Sequence, residues 1–335
     1  MAAVSPQARA QPAAVRKARL VRSFLEGAAV HCTWQLTPRC ESFCHLCEHR
    51  AESAQEELDA VTCARVAEEL GRYGALLVSF TGSEPFLHDE LAAIVAAVAR
   101  HHFPLLVTNG WLVSATSARA VWQAGLEAAS VTFAHADPER HDAATGLAGS
   151  HARASLALAT LARERTRRSQ RVNVRTRLRD GDIEALPELL TLAARHDATV
   201  TLEAAFPLPQ LDGSGEGLAE GLRRLKKSHP NLRSSGPLLD ALGRALRGGV
   251  PGCLAGRAFF NVDHRGVVTR CLEFRAPADS AGSLAEERWE DVRKRLRASS
   301  AGNTCRACFY ASRGEIETLY TVRGFLGGLR TLVNA

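Results

Sequence analysis

No apolar run in these 335 residues reaches the roughly 18 residues that a bilayer-spanning helix needs. The richest stretch, Leu91-Ala92-Ala93-Ile94-Val95-Ala96-Ala97-Val98-Ala99, is too short and reads as a buried helix. A membrane partner is therefore not expected. The N-terminus lacks both an apolar h-region and a cleavage site, which excludes a secretory signal. Its first 25 residues hold no acid but do carry Arg9, Arg16, Lys17, Arg19 and Arg22. That pattern fits an organellar transit peptide or a plain basic tail. The tail is the preferred reading, since the same Ala and Arg bias runs through the whole chain, and a cytoplasmic location is expected. Aromatic residues are also scarce where they would matter for nucleic acid. Residues 163–179 hold eight arginines with no aromatic between them, so base stacking is not supported. That segment reads as a solvated helix face and strand end, or as a landing surface for an anionic partner.

What the chain does have is length, a steady beat and clustered cysteine. At 335 residues and 46% hydrophobic content it can bury one large domain and a small one. From His31 to Phe206, short apolar runs alternate with helical patterns. Strands are expected at 31–36, 75–80, 104–108, 128–134, 171–178 and 199–205. Helices are expected at 58–73, 88–102, 114–124, 150–168 and 183–196, with Ser114 as an N-cap. Such alternation argues an α/β fold with a parallel sheet and right-handed crossovers. Six units fall short of the eight that close a barrel, so a partial (β/α)6 TIM-like barrel is expected, with its site at the C-terminal strand ends. Pro207, Pro209, Gly213, Gly215 and Gly217 then mark a connection, followed by helices near 217–228 and 237–247. A short helix closes the chain.

Nine cysteines in a chain without a secretory signal point to metal rather than disulfides. Three lie in Cys40-Glu41-Ser42-Phe43-Cys44-His45-Leu46-Cys47. Three thiolates on one loop can wrap three corners of a cubane iron–sulfur cluster and leave the fourth iron open. They can also hold structural zinc, with His45 or His49 as the fourth ligand. Four more follow near the C-terminus: Cys253, Cys271 after Gly266, and Cys305-Arg306-Ala307-Cys308. These suffice to saturate a second cluster, or a zinc ribbon. Cys32 and Cys63 read as buried core thiols.

The loop of three cysteines resembles the signature of the radical SAM superfamily. Thr81-Gly82-Ser83-Glu84-Pro85 at the end of the second strand is similar to that superfamily's G-G-E-P element, with Ser83 in place of the second glycine. Val107-Thr108-Asn109-Gly110 resembles its T-N-G turn. The run Asp137-Pro138-Glu139-Arg140-His141-Asp142, followed by Gly146 and Gly149-Ser150, is similar to its peptide-modifying and related branches. Relatives carry a Ser-x-Asp-Gly stretch at the fourth strand end, where this chain has Thr132-Phe133-Ala134-His135. The usual Asp is therefore absent, and His135 either replaces it or is an ordinary surface histidine. The C-terminal cysteines, with Gly282-Ser283-Leu284 and Trp289 between them, resemble the twitch domain, a shortened SPASM extension.

The resemblance implies a [4Fe-4S] cluster on Cys40, Cys44 and Cys47, whose open iron binds S-adenosyl-L-methionine. It implies a second, auxiliary [4Fe-4S] cluster on Cys253, Cys271, Cys305 and Cys308. Gly82, Ser83, Glu84 and Pro85 would take the methionine amino group, with Thr108, Asn109 and Thr132 nearby. Leu46 would pack on the adenine, and Arg175 or Thr176 would reach the carboxylate or ribose. The implied domains are a basic extension (1–30), the barrel core (31–206), a helical connection (207–250), the auxiliary cluster domain (251–311) and a C-terminal helix and tail (312–335). The implied activity is reductive cleavage of S-adenosylmethionine to a 5′-deoxyadenosyl radical, which takes a hydrogen atom from a peptide or a small molecule. A flavodoxin-like or ferredoxin-like reductant is the expected partner. No residue stands out as a proton donor, and a winged-helix reader of a leader peptide ahead of the barrel is not expected. The alternative is a non-catalytic, metal-stabilised binding protein that contacts RNA through the 163–179 arginines.

Overall fold

Six short parallel strands carry the fold: β1 (His31–Trp34), β2 (Leu77–Phe80), β3 (Phe103–Thr108), β4 (Ala128–Thr132), β5 (Arg171–Leu178) and β6 (Thr199–Ala204). They pair in sequence order, each parallel to the next. The computed structural model describes residues 11–41, 57–178, 183–204, 215–248, 252–274 and 276–320. Between the strands lie α2 (Ala60–Tyr73), α3 (Leu91–Ala99), α4 (Ala115–Gln123), α5 (Pro138–Thr145), α6 (Ser150–Arg163) and α7 (Leu186–Ala194), after an N-terminal α1 (Ala13–Leu25).

Local chemistry sets the helix starts. The Asp59 carboxylate accepts the Thr62 amide at 2.8 Å to begin α2. Ser114 and Ser117 cap α4 reciprocally. Asp137 accepts the Arg140 amide, with Pro138 in the first turn of α5, and that helix stops at Gly146 in a left-handed conformation. The sequence pattern did not anticipate α5, because its eight residues are too polar to show an apolar stripe.

Strand alternation decides which side chains see the interior. On β5, Val172, Val174, Thr176 and Leu178 are buried, and the alternate residues Arg175 and Arg177 line a cavity. The same division holds on β1, where Cys32 and Trp34 join the core while His31 and Thr33 face the cavity. Residues from all six strands line that one cavity, so the sheet is curled rather than flat. Its convex face packs Val66, Ile94, Val121, Leu158 and Leu190 from successive helices into one apolar core that also holds Cys63. Burying each such side chain contributes about 1.5–3 kcal/mol.

Two features depart from the sequence reading. The basic N-terminal stretch contains α1, which is packed rather than tail-like. Leu20 and Phe24 are buried against Val30, Ala75, Phe103 and Phe259, all at or just before strand starts, so α1 closes the N-terminal end of the sheet. Arg16, 5% exposed, donates to the His102 carbonyl and pairs with Glu127 at 3.1 Å.

The second departure is in the C-terminal module. After α8 (Gly215–Ser228) and α9 (Gly236–Gly248), β7 (Phe259–Val262) pairs parallel with β1, and β8 (Val268–Thr269) pairs antiparallel with β7. At the other edge, the Ala204 amide of β6 donates to the Phe309 carbonyl at 3.0 Å. Both open edges of the six-stranded sheet are thus paired by the module, followed by α10 (Trp289–Ser299) and α11 (Ala311–Leu319). Among the described residues no helix is long and apolar enough to cross a membrane.

Among the described residues, the arginines of the 163–179 segment do not form one surface. Arg165 pairs with Asp197 and Arg167 with Glu127, at 2.8 and 3.6 Å, while Arg175 and Arg177 both turn inward to Glu203.

Candidate active site

The cavity encloses about 390 Å³ and lies at the C-terminal strand ends and inside the curl of the sheet. Gly82, Ser83, Glu84, Thr108, Asn109, Thr132, Arg175 and Cys40 line it, as do Cys253, Cys271, Cys305 and Cys308. Pro85 is not among the lining residues; it opens a short 3-10 turn, Pro85–Leu87, and is buried. Cys44, Leu46 and Cys47 lie outside the described residues. Thr176, offered as an alternative to Arg175, is buried on the other face of β5. Ala134 lines the cavity but His135 is not among its lining residues; the His135 Nδ1 accepts the Asp137 amide at 2.8 Å.

Glu84 is the best-held group. It is 1% exposed, and Thr108 Oγ1 donates to both carboxylate oxygens at 2.9 and 3.0 Å. The Phe86 and Asn109 amides add bonds at 3.0 and 2.9 Å. Burial nevertheless pushes the Glu84 carboxyl up to about 8, against these bonds, and the nearby Glu41 adds to the rise. A carboxylate so placed is short of positive charge, which is what an ammonium ligand brings. Gly82, just before it, holds φ +103°, and a Cβ there would stand 2.5 Å from the Gln35 side chain. Close approach and backbone freedom both require glycine at this turn.

Asn109 ties the third strand to the cysteine loop. Its Nδ2 donates to Glu41 Oε1 at 3.1 Å and lies 3.9 Å from Cys40 Sγ. The other Glu41 oxygen is buried and has no hydrogen-bond partner among the described residues.

Elsewhere in the lining, Glu203 sits between Arg175 and Arg177 at 2.7 and 3.0 Å. The Arg177 guanidinium lies 5.4 Å from the centre of the Tyr310 ring, and the Tyr310 hydroxyl donates to Glu273 at 2.7 Å. Burial, and then Glu273, pushes the Tyr310 phenol well above its usual value. His31 bonds Ser79 through Nε2 at 3.0 Å, and burial with Arg175 lowers it to about 3, so the ring is neutral. Sequence reasoning missed Glu41, Arg177, Glu203, Glu273 and Tyr310. An acid in the otherwise apolar end of β6, and Arg177 two residues beyond Arg175, were the legible signals.

Of the seven described cysteines, Cys32 and Cys63 sit in the core. Burial pushes Cys253 and Cys271 up to about 12 and raises Cys308, with Arg313 pulling Cys253 and Cys308 back down. Such thiols are neutral until a metal displaces the proton. Among the described residues no three His, Cys, Asp or Glu are drawn together tightly enough for one metal ion. The fit to an iron–sulfur group rests on donor chemistry, four soft sulfurs facing one space.

Residues 34–192 match the model of the Radical SAM superfamily. Over that stretch, a little under half of its length, the chain is similar to that superfamily. The chain is 30% identical over 167 residues to PqqA peptide cyclase of Rhodopseudomonas palustris, a match covering 49% of this chain and 43% of that protein. It is 29% identical over 106 residues to a probable GTP 3′,8-cyclase of Methanocella arvoryzae, covering 31% of this chain and 34% of that one. The chain thus spans less than half the length of the curated relatives it matches. In fold it is similar to Streptococcus suis SuiB, with a TM-score of 0.66 over 82% of this chain and 69% of that structure, at 12% identity. The curled parallel sheet with its C-terminal part is similar in fold to that structure.

Proposed function

We propose that this chain is a radical SAM enzyme that oxidises or crosslinks a peptide, with an auxiliary [4Fe-4S] cluster in its C-terminal module. The observation that carries the reading is one cavity lined by Cys40 and Glu84 and also by Cys253, Cys271, Cys305 and Cys308. When bound, the cluster of Cys40, Cys44 and Cys47 and its S-adenosylmethionine supply reductive cleavage and removal of a substrate hydrogen atom.

The protein's own residues hold and orient. Glu84 would take the methionine amino group, aimed by the Thr108 hydroxyl and the Phe86 and Asn109 amides. Thr132 and Arg175, register partners on β4 and β5, would meet the carboxylate or ribose. Asn109 keeps the start of the cysteine loop against β3 through Glu41. Val107, Leu147, Phe259 and Phe274 give the cavity apolar wall that excludes water. Four thiols along the same cavity suit a fully ligated cluster, which can accept the electron released when a substrate radical is oxidised. A flavodoxin-like or ferredoxin-like protein would deliver the reducing electron.

The likeness to PqqA peptide cyclase supports a peptide substrate. The likeness to a GTP 3′,8-cyclase favours a second reading, a nucleotide or other small molecule. Anaerobic reconstitution with iron and sulfide, then dithionite and S-adenosylmethionine, tests the reading. About eight irons per chain, as two cubanes require, and 5′-deoxyadenosine formation that Cys44→Ala abolishes are expected. Zinc, or no deoxyadenosine from reducible clusters, would move the reading to the metal-stabilised binding protein. Parallel incubations with the PqqA peptide and with GTP separate the substrates: loss of hydrogen from the peptide supports the first, turnover of GTP alone the second.

A further inference from the structure

The helix after the last cysteine pair aims a buried cation at the cysteine cluster. Arg313 on α11 is 1% exposed. Its Nε is 3.1 Å from both oxygens of Glu317, one turn along the same helix. Nη1 donates to the Cys308 carbonyl at 2.7 Å and stands 4.0 Å from Cys308 Sγ. Nη2 donates to the Gly252 carbonyl. Glu317 Oε1 in turn accepts the Leu254 amide at 2.8 Å. The pair therefore grips the backbone on both sides of Cys253 and the carbonyl of Cys308.

Holding backbone does not need charge. A buried ion pair is expensive to desolvate, and well-packed apolar residues of similar volume are often as stable or more so. What an ion pair adds is a field with direction. Here the guanidinium is the pole nearer the thiols: its Nη1 stands 4.0 Å from Cys308 Sγ, while Glu317 is held at the Nε edge of the same group. A cubane on four cysteines is an anion that gains one more negative charge when reduced. A cation fixed a few ångströms away, out of water, favours the reduced form.

We propose that Arg313 is a positioning residue that holds Cys253 and Cys308 and raises the reduction potential of the cluster they would ligate. The inference rests on the auxiliary cluster proposed above. Raising that potential makes the cluster a better acceptor of the electron that substrate oxidation must release.

The test uses the full chain carrying Cys40→Ala, Cys44→Ala and Cys47→Ala, so that only the C-terminal cysteines load iron. A dithionite titration followed by EPR then gives the midpoint potential. Arg313→Gln is expected to keep its iron but lower the equilibrium constant for reduction at least tenfold, about 59 mV for a one-electron couple. Arg313→Lys should keep most of the potential. Glu317→Gln, which removes the opposing pole and keeps the cation, should shift it the other way. Iron-loaded Arg313→Gln that titrates like its parent would reduce Arg313 to a backbone clamp and overturn the proposal. Should Arg313→Gln fail to load, an unmoved potential in Glu317→Gln would overturn it equally. A parent chain that takes up no iron would instead remove the auxiliary cluster itself.

Discussion

Glu203 offers the sharpest test of how the cavity is held. Its side chain is 2% exposed and meets Arg175 at 2.7 Å and Arg177 at 3.0 Å, two cations on one strand sharing a buried acid on the next. Glu203→Gln keeps the shape but leaves the guanidiniums without that counter-charge, and it turns an amide donor toward one of them. Breaking a buried pair from one side costs about 3–5 kcal/mol. The arginine side chains are 16% and 22% exposed to the cavity, so solvent offsets part of this, and about 3 kcal/mol is expected. A matched control stands on the surface. Glu220 and Arg224 also meet at 2.7 Å, but with side chains 63% and 66% exposed, and Glu220→Gln should cost below about 1 kcal/mol. Urea unfolding of the three proteins, read as midpoint shifts at constant slope, measures both. Salt should weaken the control pair more than the buried one. Equal, small losses at the two sites would show that water in the cavity already screens Glu203, and the argument would fail.

Glu84 gives a pH signature. Its carboxyl stands at about 8 in the folded chain against 4.5 for an ordinary glutamate. Folding thus favours the protonated form, so its stabilisation is full below 4.5 and is lost as pH rises through 8. Metal-free Glu84→Gln should gain on the wild type across that window, and a constant difference in urea midpoint between about pH 5 and pH 9 would refute the assignment. Gly82→Ala should destabilise by about 1–3 kcal/mol, because φ +103° and the 2.5 Å approach to Gln35 both penalise a Cβ. A melting temperature within a degree of wild type would show that the turn relaxes.

The sequence by itself determined the beat of the fold and the motifs on which the proposed chemistry rests. Alternation of apolar runs and helical stripes is a local property of the chain, so six βα units were legible with small boundary errors. The cysteine spacing and Thr81-Gly82-Ser83-Glu84-Pro85 were visible too, because each motif lies within a few consecutive residues. Polar α5 and the two-residue β8 were not, since short polar elements have no periodicity to read. Tertiary structure alone decided what lies far apart in sequence. It made α1 a packed cover, since its apolar side is defined only by Val30, Ala75, Phe103 and Phe259 beneath it. It set β7 against β1, more than 200 residues away, because an exposed strand edge is paired by whatever segment reaches it. It divided the arginine-rich segment into surface pairs and an inward couple sharing Glu203, since a strand's two faces meet different surroundings. And it brought Arg313 beside Cys253 and Cys308, a juxtaposition that charge and burial explain only once α11 is packed.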